Sequence, residues 1–162
     1  MSTGSRHEPP LRIGLISDTH DLVRPEALAF LAGSDRIVHA GDICSPEVLD
    51  ALAAIAPLTA VRGNNDRGPW AAALASTEVV EAGGVAIYVI HDAAEIDLDP
   101  RAAGFRVVVA GHSHRPAVEE RDGVLWFNPG SAGPRRFRLP IALGRLTIEG
   151  GVARGEIVTL AA

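Results

Sequence analysis

At 162 residues and 47% hydrophobic content the chain can bury a sizeable core, yet no apolar run reaches the ~18 residues needed to span a bilayer. Its net charge of −5 argues against a nucleic-acid polymer or an anionic membrane as partner, and the lone Cys44 excludes both a disulfide framework and a zinc knuckle. All 15 basic residues are arginine, a bias that suits bidentate phosphate contacts but also fits the codon usage of a GC-rich genome, as do the many Ala, Gly and Pro residues.

Met1 to Pro10 is polar, ends in Pro-Pro and lacks the apolar centre of a signal peptide, so it reads as a loose tail on a cytoplasmic protein. Leu11 to Ser17 is a buried strand and Pro25 to Ala32 a helix with proline at its first position. Arg36 to Ala40 is a second strand. Ser45 is expected to cap a helix from Pro46 to Ile55, closed by Pro57, before a third strand, Leu58 to Val61. This β-α-β-α-β opening predicts parallel strands with right-handed crossovers.

The second half changes character. Pro69 to Ala75 reads as a short helix, and Gly83-Gly84 joins Thr77–Glu81 to Val85–Ile90 as a hairpin. Ala93 to Ala103 is an irregular or helical connection, and Arg106 to Ala110 an apolar, central strand. Two more hairpins, at Asp122-Gly123 and Gly150-Gly151, join Ala117–Glu120 to Val124–Phe127 and Ala142–Ile148 to Val152–Leu160. The fold class is therefore α/β: two stacked mixed sheets with helices outside, in one domain from residue 11 to 162, with no linker or repeat.

Polar residues of metal-ligating type recur where the apolar strands stop: Asp18, His20, Asp42, Asn64, His91, His112 and His114. Beyond the carboxyl ends of strands is where open α/β sheets bind ligands. Asp18 and His20, two apart on extended backbone, would face one point. A mixed set of carboxylate, carboxamide and imidazole suits Mn²⁺, Fe, Zn²⁺, Ni²⁺ or Co²⁺ better than Mg²⁺ or Ca²⁺. Seven side chains exceed the needs of one ion and point to two that share a carboxylate.

Asp18-Thr19-His20, Gly41-Asp42, Gly63-Asn64-Asn65-Asp66, His91, Gly111-His112-Ser113-His114 and Asn128-Pro129-Gly130-Ser131 follow one another in the order and spacing of the calcineurin-like metallophosphoesterases. The length and the His-Ser-His form resemble the small bacterial and archaeal phosphodiesterases of that superfamily, over residues 11–160. The resemblance implies a four-layer α/β/β/α sandwich and two divalent transition-metal ions, manganese foremost. Asp18, His20 and His114 would hold one ion; Asn64, His91 and His112 the other; Asp42 would bridge. Asp42, Asn64 and His112 would serve catalysis, with Asn65 and Ser131 contacting substrate. The implied reaction is hydrolysis of a small phosphodiester by in-line attack of a hydroxide shared by two ions ~3.5–4 Å apart. A phosphomonoesterase, or a scaffold that keeps the fold without turnover as the related retromer subunit does, are the alternatives. Homo-oligomerisation stays open.

Two positions depart from the family pattern. Asn65 stands where many members have a histidine that assists the leaving group, which predicts a bias toward good leaving groups. Asp66, that histidine's usual partner, would then only hold the loop. Asp92 follows His91 where glycine is usual; it is expected to fill a left-handed, glycine-like position, or else to bring a carboxylate near the second ion. His39 reads as a hydrogen-bonded residue behind the site, Cys44 as a small residue at a helix entry, and His7 as inert. Arg135, Arg136 and Arg138 read as a solvated face, with contact between one of them and substrate as the alternative.

Overall fold

The computed structural model describes residues 9–136 and 138–160. Most of the expected tail, with His7, lies outside the described residues, as do positions 161–162 of the expected domain. The elements run β1 (Leu11–Ile16), α1 (Pro25–Leu31), β2 (Arg36–His39), α2 (Pro46–Ala53), β3 (Leu58–Ala60) and α3 (Pro69–Ala72). They continue with β4 (Thr77–Ala82), β5 (Val85–Ile90), a 3₁₀ turn (Ala93–Glu95), β6 (Val107–Val109), β7 (Ala117–Arg121), β8 (Val124–Asn128), β9 (Ile141–Glu149) and β10 (Val152–Leu160).

Two five-stranded mixed sheets result, in the orders β10-β9-β1-β2-β3 and β4-β5-β6-β8-β7. β1, β2 and β3 are parallel, with β9 antiparallel to β1 and β10 to β9. In the other sheet β5, β6 and β8 are parallel, flanked by antiparallel β4 and β7. β6 is the central strand, as its apolar sequence predicts.

Alternation along each strand assigns the layers. Ile13 and Leu15 of β1, Ile87 and Val89 of β5, Val107 and Val109 of β6, and Phe127 of β8 fill the space between the sheets. Ile16 and Ile37 point the other way, onto Leu31 of α1 and Val48 and Leu52 of α2. Each such fully buried side chain contributes about 1.5–3 kcal/mol of transfer free energy. The opposite outer face, Tyr88, Ile90 and Val108, is covered by Ile96, Leu98 and Phe105. Only the 3₁₀ turn is helical there, so the fourth layer of the sandwich is mostly irregular chain.

Local chemistry agrees with the expected boundaries except in places. All three hairpins turn on two residues with positive φ, Gly83-Gly84, Asp122-Gly123 and Gly150-Gly151, the geometry that matches strand twist. Ser45 occupies the N-cap of α2, but its hydroxyl makes no capping bond and is buried without a partner. The expected cap is therefore absent, and proline at the first turn starts α2, as in α1 and α3. α3 stops after one turn, at Ala72. Among the described residues no helix is long and apolar enough to cross a membrane.

Candidate metal centre

All seven predicted ligand residues lie just past the carboxyl ends of parallel strands. Asp18 and His20 follow β1, Asp42 follows β2, Asn64 follows β3, His91 follows β5, and His112 and His114 follow β6. The backbone that carries them is not the extended one expected from sequence. β1 ends at Ile16, and Asp18, His20, Asp42, His112 and His114 have φ of 55, 45, 59, 70 and 62°. Left-handed backbone costs an L-residue about 1–2 kcal/mol, and the surrounding bonds must hold it. They do so by lacing two loops together: the N–H groups of Asp18, His20 and Asp21 donate to the carbonyls of Gly41, Asp42 and Ile43.

The carboxylate of Asp18 is divided between two tasks. Its Oδ2 accepts from the Ser17 hydroxyl at 2.6 Å and the His112 N–H at 3.1 Å. Its Oδ1 is buried without a hydrogen-bond partner, 3.4 Å from His114 Nε2 and 4.0 Å from His20 Nε2. His20 Nε2 is likewise buried and lacks a hydrogen-bond partner. Polar atoms left so without a counterpart are costly unless an ion satisfies them. Asp18, His20 and His114 form one group able to hold a cation.

Asp42 lies next to it. Oδ1 accepts from the Asn65 N–H, and Oδ2 from the Asn65 side-chain amide. The same Oδ2 stands 3.7 Å from His20 Nε2 and 3.4 Å from His91 Nε2. Asp18, Asp42 and His91 form the second group, and Asn64 Oδ1 joins it 3.0 Å from His91 Nε2. His112 stands to the side, its ring 5.2 Å from that of His91 and its Nε2 3.7 Å from Asp92 Oδ2.

The charges are strongly coupled. Burial pushes the His91 imidazole down, but the Asp42 contact and the charges of Asp18 and Asp42 outweigh it, and the pKa rises to about 9. Burial pushes Asp42 up, yet its bonds to His91 and Asn65 prevail and hold it well below the usual carboxylate range. His20 is lowered, by burial first and then by the nearby Arg136.

Behind these side chains, Asp66 accepts four backbone N–H groups, from Asp42, Ile43, Cys44 and Gly63, and so holds the loop as expected. His39 is wholly buried between two loops. Gly41 N–H donates to its Nδ1, which leaves Nε2–H to donate to the Thr19 hydroxyl; that hydroxyl in turn donates to the Ile43 carbonyl. A Cβ at Gly63 would overlap Asp42, and one at Gly111 would overlap Ser17 and Asp18. The backbone touches both carboxylates only because these two residues are glycine.

The donor set is one a borderline divalent transition metal prefers, and the unsatisfied Asp18 Oδ1 and His20 Nε2 are what such an ion would complete. The Calcineurin-like phosphoesterase superfamily domain profile matches residues 11–151. The chain belongs to the calcineurin-like phosphoesterase superfamily. A probable metallophosphoesterase of Methanocaldococcus jannaschii is 33% identical over 151 residues, 85% of this chain and 76% of the relative. The fold of a structurally characterised archaeal phosphodiesterase superposes with a TM-score of 0.77 at 23% identity, covering 91% of this chain and all of the other. Vacuolar Protein Sorting 29 from Cryptosporidium parvum shares the fold too, with a TM-score of 0.75, 19% identity and coverage of 94% and 99%.

Against the family pattern, Asp92 has φ −120° and ψ 113°, so the expected glycine-like conformation is not what it supplies. The two residues expected to contact substrate are engaged inward: Asn65 with Asp42, and buried Ser131 through a hydroxyl that donates to the Asp18 carbonyl. Ser17 and Thr19, to which the sequence assigned no separate role, brace the candidate ligands, as does Asn128 of the Asn-Pro-Gly-Ser turn. Asn128 closes its turn by accepting from Gly130 N–H, and its amide donates to the Gly111 carbonyl. Thr19 lay inside the Asp-Thr-His motif, and its small hydroxyl between two ligands was the available signal.

Proposed function

We propose that this phosphoesterase is a dinuclear-metal phosphodiesterase whose single domain spans residues 11–162. Asp18, His20 and His114 hold one divalent ion, Asn64, His91 and His112 the other, and Asp42 bridges. The observation that carries this reading is Asp42 Oδ2, within 3.7 Å of an imidazole from each group. When bound, such a pair supplies a hydroxide near neutral pH and neutralises phosphate charge. Manganese is the ion we favour. The chain's own residues orient the bridge, through Asn65, and His91 and Asn65 together favour the ionised form of Asp42 in a buried setting. Substrate access is open on the side of Asn64 and His112, both exposed. With asparagine at position 65 and no histidine there, the leaving oxygen gets little proton assistance, so diesters with acidic alcohols should react fastest.

The likeness to a sorting protein's fold favours a second reading, a scaffold without turnover. Retention of all seven donors supports the enzyme. Hydrolysis of an aryl phosphodiester and the matching monoester, with Mn²⁺, decides among them. Diester turnover should vanish with EDTA, return with Mn²⁺ and fall at least ~10²-fold in Asp42→Ala. Equal rates for both proteins would leave the scaffold, and faster monoester turnover would make it a phosphomonoesterase.

A further inference from the structure

Asp92, which directly follows His91, has two partners. Its Oδ1 accepts the Ala94 N–H at 3.0 Å and caps the 3₁₀ turn. That bond accounts for one oxygen only. The other, Oδ2, lies 3.7 Å from His112 Nε2, within ion-pair range and just longer than a hydrogen bond. His112 needs support more than its neighbours do: its side chain is 46% exposed, against 9% for His20, 7% for His91 and 6% for His114. His91 is already anchored through Nδ1 on the Ala40 carbonyl, 2.7 Å away, and His20 Nδ1 lies 3.6 Å from Cys44 Sγ. An imidazole that ligates through one nitrogen is aimed, and its tautomer fixed, by whatever accepts the proton of the other.

We propose that Asp92 is this acceptor for His112: a positioning residue that holds Nε2–H, leaves Nδ1 as the ligating atom, and so sets the affinity of the second metal site. The assignment rests on the reading of His112 as a ligand given above. It makes Asp92 part of a carboxylate–histidine–metal relay at the rim of a cavity of about 370 Å³ that also contacts Arg62, Asn64, His91 and Glu95. The cap alone does not explain an aspartate here, because serine or asparagine would cap the turn equally well.

Asp92→Asn tests this without disturbing the turn. Its carbonyl oxygen keeps the Ala94 cap, while its amide presents a donor to a ring nitrogen that also needs to donate. Calorimetric titration of the full chain with Mn²⁺ should show the first site unchanged and the second weakened roughly 10–100-fold. In a His112→Ala background the same substitution should have no further effect. An unchanged second site in Asp92→Asn, or an equal loss in the His112→Ala background, overturns the proposal while leaving the dinuclear reading intact. Fewer than two ions bound by the natural chain overturns the dinuclear reading and this inference with it, whereas His112→Ala binding as the natural chain does removes His112 as a ligand and overturns this inference alone.

Discussion

His39 ties the loop after β1 to the loop after β2, and it can do so only as a neutral ring. Its Nδ1 must be bare to accept from Gly41 N–H, and its Nε2 must carry a proton to reach Thr19. Burial, the largest influence, lowers its pKa to about 3. The sign follows from linkage. An unfolded chain, with a histidine near 6.5, takes up a proton below that pH that the folded ring refuses. This side chain's stabilisation is therefore complete above pH 6.5 and is lost as pH falls toward 3. His91 titrates the other way, so the clean measurement is a difference between two proteins. Urea unfolding in EDTA should show the advantage of the natural chain over His39→Gln shrinking by about 2 kcal/mol between pH 7 and pH 5. Parallel pH profiles would mean the ring is not held neutral.

At the scale of elements, Phe127 of β8 crosses between the sheets and lies flat where β9 and β10 carry glycine. A Cβ at Gly144 would meet the ring edge, and one at Gly155 its other side. The sheets pack at this separation because two strands lack side chains under one aromatic ring. Gly144→Ala should accordingly destabilise by about 1–3 kcal/mol through overpacking, and Phe127→Leu should recover part of that loss in the double variant. Additive losses in thermal unfolding would show that the ring and Gly144 do not compete for space. Nothing in the sequence announces this pairing, because residues 127, 144 and 155 meet only once the sheets are stacked. The hairpins were legible, since each turn needs positive φ and has glycine to supply it. The convergence of these polar residues was legible for a related reason: polar side chains ending apolar strands have no role in the core. What stayed hidden was how those side chains are aimed. Left-handed backbone at Asp18 or His112 depends on bonds from distant loops, and the Asp92 contact depends on a neighbouring strand.

The whole molecule is arranged so that neither sheet has the site to itself. Asp18, His20, Asp42 and Asn64 come from the ends of β1, β2 and β3, whereas His91, His112 and His114 come from β5 and β6 of the other sheet. An ion held by both groups is a fastener between layers, and only the folded arrangement can bind it. Mn²⁺ at 100 times its dissociation constant should then stabilise the fold by about 2.7 kcal/mol, or raise Tm by roughly 5–10 °C. The two tryptophans can tell whether that gain reaches both layers. Trp70 packs with the helix side of the first sheet, and Trp126 on the outer face of the second. In single-tryptophan variants, Trp70→Phe and Trp126→Phe, both reporters should shift by the same amount on Mn²⁺ addition and neither should shift in Asp42→Ala. A shift seen by Trp70 alone would confine the ion to donors of the first sheet, and His91, His112 and His114 would then have to be explained without metal.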